Sequence, residues 1–201
     1  MARDLLQEDQ PASLRQTYAD IQSDYRRSAE AMGVRLSAGR ILFATISPPV
    51  LALSLYRVAR YLYAKGFRGP GWLVYTFNTY LTGADIPPST VIGRSCLLAH
   101  ANGMILNGRI GNNVSLYARV GVGGGRGQGD IGGGPGLPVI EDGVSIGVNA
   151  TILGVVRIGR DAQVGAHTLV LQDVPAGATI TGIPGVVRAT KESTLQFGST
   201  S

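Results

Sequence analysis

The chain has 201 residues, of which 29 are glycine and 10 proline, and aromatic side chains make up only 6%. Lys and Arg outnumber Asp and Glu by 18 to 13, and the formal net charge of +5 favours anionic partners such as a phosphorylated cofactor or a membrane surface. Glycine and proline follow no collagen-like period, and no Lys/Arg run with interleaved aromatics marks a nucleic-acid interface.

Residues 1–10 carry charge and no apolar core, so no signal peptide is expected. Residues 1–38 read as a polar, charged arm. Within it, 20–32 is either a helix with Ile21, Tyr25 and Met32 along one side or a loose segment; the absence of Pro and Gly from 12–31 favours the helix. Residues 41–53 are nearly all apolar but fall short of the roughly 20 residues a membrane span needs, and Pro48 and Pro49 interrupt them. The stretch 51–64 predicts a helix with Leu51, Leu55, Val58 and Leu62 on one face and Arg57 and Arg60 towards the other side. Lys65, Arg68 and Gly69-Pro70 are expected to end it. A further apolar, aromatic-rich helix over 72–81 leads onward. The N-terminal region 1–82, with apolar helices over 41–81, is expected to cap one end of a repeat array that begins at residue 83. The alternative is a peripheral membrane contact through Arg57, Arg60, Lys65 and Arg68.

From residue 83 a period of six takes over. Ile86, Ile92, Leu98, Met104, Ile110, Leu116 and Val122 recur at six-residue steps, and Ile140, Ile146, Ile152, Ile158, Val164 and Val170 resume the phase. Two positions earlier stand mostly small or β-branched residues, among them Thr90, Cys96, Val114, Ala150 and Thr168. This period fits neither an amphipathic helix nor a two-faced strand. It predicts a mainly β fold: a left-handed parallel β-helix of hexapeptide repeats over 83–191, with one aliphatic side chain per wall pointing inward. The glycine-rich stretch 123–138 preserves the phase and reads as a loop that leaves the wall and returns; a long loop inside a compact repeat tends to be functional. Residues 192–201 read as a polar tail.

Cys96, the only cysteine, falls on an inward position, so a buried thiol is expected and no intrachain disulfide exists, which suits a reducing cytoplasm. His100 and His167 are the only histidines, and neither occupies an inward position. Asp85 precedes His100 by nearly one coil circuit, so the two can meet on adjacent levels. There an aspartate fixes the imidazole tautomer while the other ring nitrogen takes a proton. A zinc hydratase of the γ-carbonic anhydrase type needs three histidines and finds only two, so no metal site is expected.

The segments ADIPPSTVIG (84–93), LLAHANG (97–103), GVGGG (121–125), VIEDGVSIGVNATILG (139–154), VGAHTLVLQDVPAG (164–177) and TGIPG (181–185) resemble the serine O-acetyltransferase family. The resemblance covers roughly residues 40–191. It implies a homotrimer, acetyl-CoA as donor, His100 as the base that deprotonates an acceptor hydroxyl, and Asp85 as its orienting partner. It places the CoA arm along Gly123, Gly124, Gly147, Val148, Gly165 and Ala166, with Arg188 nearby for phosphate. His167 stands where the family usually has glycine.

Departures from the family pattern bear on the acceptor. The acidic residue before the histidine is Ala99, and the D-R-H-P motif of the glycine loop is replaced by Pro135, Gly136, Leu137 and Pro138. A free amino acid would then bury unpaired charges. The acceptor side is expected around Ala99, Asn102 and Arg126, with Arg126 as a substitute cation. The family's C-terminal isoleucine, which docks into cysteine synthase, is absent from a chain ending in Ser201. The stretch LSLYRVARYLYAKG (53–66) resembles shorter members found with exopolysaccharide synthesis, which implies a sugar or lipid-linked saccharide acceptor. A divergent serine acetyltransferase and a β-helix scaffold without chemistry are the alternatives.

Overall fold

The computed structural model describes residues 13–33, 47–125 and 127–188. Among the described residues three helices come first: α1 (Leu14–Ala31), α2 (Pro48–Ala64) and α3 (Arg68–Thr82). Fourteen short strands then wind into three walls. The first wall stacks β1 (Val91–Ile92), β4 (Arg109–Ile110), β7 (Val139–Ile140) and β10 (Arg157–Ile158). The second stacks β2 (Leu97–Leu98), β5 (Ser115–Leu116), β8 (Ser145–Ile146), β11 (Gln163–Val164) and β13 (Thr179–Thr181), and β14 (Val186–Arg188) closes it as the single antiparallel pairing. The third stacks β3 (Ile105–Leu106), β6 (Gly121–Gly123), β9 (Thr151–Leu153) and β12 (Leu169–Val170). This is the left-handed parallel β-helix that the six-residue period predicts.

The interior is a column of aliphatic side chains, one per wall per coil. Ile92, Ile110, Ile140 and Ile158 fill it from the first wall, and Leu98, Leu116, Ile146 and Val164 from the second; all are buried. Each such side chain contributes roughly 1.5–3 kcal/mol on burial. The phase survives the glycine loop, since Ile110 pairs with Ile140 and Val122 with Ile152 across it.

One position departs from the count of six. Leu106, not Met104, pairs with Val122 on the third wall. Met104 is buried two positions earlier, in the corner place that Val120, Ala150 and Thr168 hold in the coils above. The corner after β2 is thus two residues longer than its counterparts, and the short turn at Asn107 and Gly108 restores the phase. A period counts residues and is blind to an insertion followed by an equal deletion.

The helices differ more from expectation. In α2 the buried face carries Val50, Ala52, Leu53, Tyr56, Arg57 and Ala59, whereas Val58 is 39% exposed. The face assigned to Leu51, Leu55, Val58 and Leu62 is therefore the outer one. Arg57 is only 6% exposed and reaches the first coil. In α1 the buried residues are Thr17, Asp20, Asp24, Ser28 and Ala29, not an Ile21–Tyr25–Met32 stripe. Hydrophobic spacing missed both faces because they answer open carbonyls and amides. Gly69 and Pro70 lie in the first turn of α3, where proline is tolerated, and the break falls at Gly66 (φ +88). Residues 1–12, 34–46 and 189–201, which include part of the expected arm and the tail, lie outside the described residues.

Arg57 donates to Asp24 through Nε (3.0 Å) and Nη2 (3.2 Å), and to the carbonyls of Ile92 and Gly93. Asp24 Oδ1 also accepts the Cys96 amide at 2.8 Å. Tyr56 Oη donates to Thr90 O at 2.8 Å, and Arg60 Nη1 to Pro88 O at 3.1 Å. These donors stand where a preceding coil would have stood, and they satisfy the open end of the first wall. Arg57 is thereby unavailable for a membrane-surface role. No described helix is long and apolar enough to cross a membrane.

Burial raises the Asp24 carboxyl above its ordinary range, against the pull of Arg57. Arg57→Ala leaves that acid buried without its cation, and the expected cost is about 3–5 kcal/mol in chemical denaturation. The double change Arg57→Met with Asp24→Leu removes both charges and is expected to recover most of that loss.

Candidate active site

The site begins where α3 hands over to the first coil. Gly83 ends the helix in a left-handed conformation (φ 74). Asp85 then joins the third wall, donating its amide to Met104 O and accepting from Leu106 N–H, both at 2.9 Å. Its backbone is fixed one level below Ile105. Its side chain is half-buried, and Oδ1 accepts a hydrogen bond of 2.7 Å from the Tyr75 hydroxyl on α3. Burial, that bond and the Asp85 charge all raise the Tyr75 phenol above its ordinary range, so it stays a donor at neutral pH.

His100 stands in the enlarged corner between β2 and β3. Its side chain is exposed and makes no hydrogen bond to another described residue, and the Tyr75 hydroxyl is bonded to Oδ1 of Asp85. Ala99 before it is half-buried and donates its amide to Leu116 O, while Ala101 is buried. The exposed Asn102 packs over the end of α3, with Oδ1 against Gly83.

Above this corner rise the other corners of the same edge. Ala99, Tyr117, Gly147 and Gly165 stack by donating their amides to Leu116, Ile146, Val164 and Ile180. His100 therefore heads an edge that also carries Gly147, Val148, Gly165 and Ala166, with rungs about 4.8 Å apart. His167 stands on this edge with φ 56, next to Asn149 (φ 57), and its ring Nε2 is 3.4 Å from Asn149 Nδ2. A left-handed corner explains why glycine suits that place.

Gly123 and Gly124 lie on a different edge, where the third wall turns back to the first. The loop they open carries hydrogen bonds within itself: the Asp130 side-chain Oδ1 accepts from the amides of Gly132 (2.8 Å) and Gly134 (3.1 Å), and Gly136 donates to Gly129 O at 2.8 Å. Pro135 is exposed, Leu137 is half-buried and Pro138 is buried, so this part of the loop presents no charge. Arg126 and the side chain of Arg188 lie outside the described residues. Within one chain, then, the third wall separates the His100 edge from the loop edge. Tyr75 is a residue that sequence reasoning missed; its only signal is its place on an aromatic helix, ten residues before Asp85.

Cys96 is 0% exposed, and burial, followed by the Asp24 charge, pushes its thiol up to about 12. It is a packing residue and not a nucleophile.

The chain is 33% identical over 169 residues to the serine acetyltransferase of Mycobacterium tuberculosis, covering 83% of this chain and 71% of that protein. It is 37% identical over 136 residues to the serine acetyltransferase of Escherichia coli K12, and there it spans about half of the relative, 48%. Among solved structures, Neisseria gonorrhoeae serine acetyltransferase in complex with serine matches 91% of this chain with a TM-score of 0.76 at 29% identity. Soybean serine acetyltransferase apoenzyme matches 86% with a TM-score of 0.76 at 32% identity. These matches cover 73% and 69% of the two solved chains. No family model matches the chain.

The edge glycines divide by what surrounds them. A Cβ on Gly147 meets the Ala166 backbone at 2.6 Å, whereas one on Gly123 meets nothing within 4 Å. Gly147→Ala is expected to destabilise the coil by about 1–3 kcal/mol in a thermal or denaturant melt. Gly123→Ala is expected to leave the melt unchanged and to weaken acetyl-CoA binding measured by titration calorimetry.

Proposed function

We infer the reaction from one premise: this chain belongs to the serine acetyltransferase family, which makes it an acyltransferase. We propose that it transfers an acetyl group from acetyl-CoA to an acceptor hydroxyl, with His100 as the base. The imidazole takes the hydroxyl proton, the oxygen attacks the thioester carbonyl, the C–O bond forms as the C–S bond breaks, and the departing CoA thiolate recovers the proton. Asp85 orients the base when substrate is bound, and Tyr75 holds the Asp85 carboxylate in place. The observation that carries this reading is the edge itself. An exposed histidine stands in an enlarged corner, above an aspartate pinned by backbone and phenol, on an edge that also carries Gly147, Val148, Gly165 and Ala166.

Serine is the acceptor that the names of the relatives support, and two solved neighbours hold serine. A second reading, a sugar hydroxyl, is supported by a specific observation. Ala99 offers no anion to an amine, and Pro135, Gly136, Leu137 and Pro138 offer no cation to a carboxylate. Burying either charge of a free amino acid without a partner costs several kcal/mol, roughly.

The two edges of one chain flank the third wall, so a complete CoA groove calls for the His100 edge of one copy and the glycine loop of another. A homotrimer supplies that arrangement, and sedimentation of the purified protein checks it.

His100→Ala is expected to lower acetyl-CoA-dependent thiol release by about 10²- to 10⁴-fold while leaving the circular-dichroism melt intact. Unchanged turnover removes His100 from the base role. Asp85→Asn and Tyr75→Phe are expected to lower kcat more than acetyl-CoA affinity, with the smaller loss at Tyr75. A defect confined to KM contradicts their orienting roles.

A further inference from the structure

A column of left-handed residues rises from the corner that carries His100. Ile105 pairs with Gly121, Gly121 with Thr151 and Thr151 with Leu169. The residues two places earlier, Gly103, Arg119, Asn149 and His167, therefore stand one above another where the second wall turns into the third. All four have positive φ, at 75, 57, 57 and 56. Glycine occupies the His100 rung, and Arg119 is the first side chain above it.

The Arg119 stem lies over that glycine. A Cβ on Gly103 would stand 3.3 Å from Arg119 Cγ and 4.0 Å from Cδ, so the stem leans from its own rung onto the one below. Higher in the column, Asn149 Nδ2 and His167 Nε2 face each other at 3.4 Å. Arg119 is exposed and makes no hydrogen bond or ion pair with a described residue. The backbone does not call for arginine here, since asparagine accepts a left-handed position more readily, as Asn149 does one rung up. A guanidinium over a bare corner offers its charge and its planar fork of donors to whatever enters.

The acceptor enters this corner, because its hydroxyl must reach His100. The CoA phosphates stand a pantetheine's length from the thioester and so away from this rung. Around the acceptor the loop residues 135–138 carry no charge, Ala99 carries no acid, and the Asp85 carboxylate is bonded to Tyr75. Arg119 supplies from the coil the cation that this loop lacks, with no acid at Ala99 to go with it. An amino acid would leave its ammonium group unanswered there, and a neutral alcohol would leave the guanidinium unused. A hydroxyl compound with a carboxylate and no amine matches both.

We propose that Arg119 is a specificity-determining residue that pairs with a carboxylate on the acceptor, and that the acceptor is a hydroxy acid without a free amine, a class that includes sugar acids. This rests on acetyl transfer at the His100 corner, and it names the substrate class of that site.

The test compares kcat/KM for thiol release within matched acceptor pairs: glycerate against glycerol, and galacturonate against galactose. L-serine, which differs from glycerate by an amine in place of a hydroxyl, is the third comparison. The expected result is a preference for the acid within a pair and for glycerate over L-serine. The acid-to-neutral ratio is expected to fall about tenfold or more in Arg119→Asn and to be kept in part by Arg119→Lys. A merely structural arginine would lower both members of a pair alike and leave the ratio unchanged. Should Arg119→Asn fail to fold, Arg119→Gln removes the same charge. Calorimetric titration of glycerate and galacturonate into the His100→Ala protein, with CoA present, reads the site without turnover. Binding there is expected to weaken about tenfold or more when Arg119→Asn is added, and it decides the matter if no acceptor releases thiol. An unchanged ratio, a preference for L-serine over glycerate, or absence of Arg119-dependent binding of both acids overturns the proposal. Arg119-dependent binding beside thiol release that survives His100→Ala supports it while removing the base, so the two readings fail separately.

Discussion

A buried guanidinium joins the two halves of this protein. A parallel coil passes its backbone bonds upward from rung to rung, so its first rung is left with carbonyls that have no coil beneath them. Arg57 answers Ile92 and Gly93 there, Tyr56 answers Thr90, and Arg60 answers Pro88. Asp24 neutralises Arg57 and holds the Cys96 amide, which brings α1 into the same contact. Removing one member leaves a desolvated charge behind, and for that reason the node is costly to break even where its net contribution is small. The position of α3, and with it Tyr75 over Asp85, depends on this docking through the α2–α3 contact, where Asn78 Nδ2 donates to Ala52 O at 3.0 Å.

The β-helix was legible from residues alone because its core repeats one requirement at a fixed interval. Ile92, Leu98 and Ile110 satisfy that requirement whatever else the chain does. The helices were legible as helices, but their inward faces were not. Hydrophobic spacing assumes that a buried face is apolar, and the faces of α1 and α2 that carry Asp24 and Arg57 are buried because the end of the coil is polar. The enlarged corner at 99–104 escaped the period for a different reason, since its two added residues are returned by the next turn. His100 and Asp85 were marked as candidates by their neighbourhood. Tyr75 was not, because a helix-borne phenol reaches its carboxylate only through tertiary packing.

The glycines of the two edges illustrate how one residue type serves two ends. Gly147 is needed because the next coil lies against its α-carbon, while Gly123 is bare on the side where a ligand would approach. The first is fixed by the coil, and the second has open space around it. The same distinction separates Cys96, buried and inert, from His100, exposed at the head of an edge. The departures from the family pattern that bear on the acceptor include Ala99 and the uncharged loop residues 135–138.

The most direct measurement is thiol release from acetyl-CoA by the purified chain, offered L-serine in one series and saccharide acceptors in another. The account predicts release that depends on an added hydroxyl acceptor and disappears in the His100→Ala protein. Failure to bind acetyl-CoA, or release that persists without His100, would contradict it.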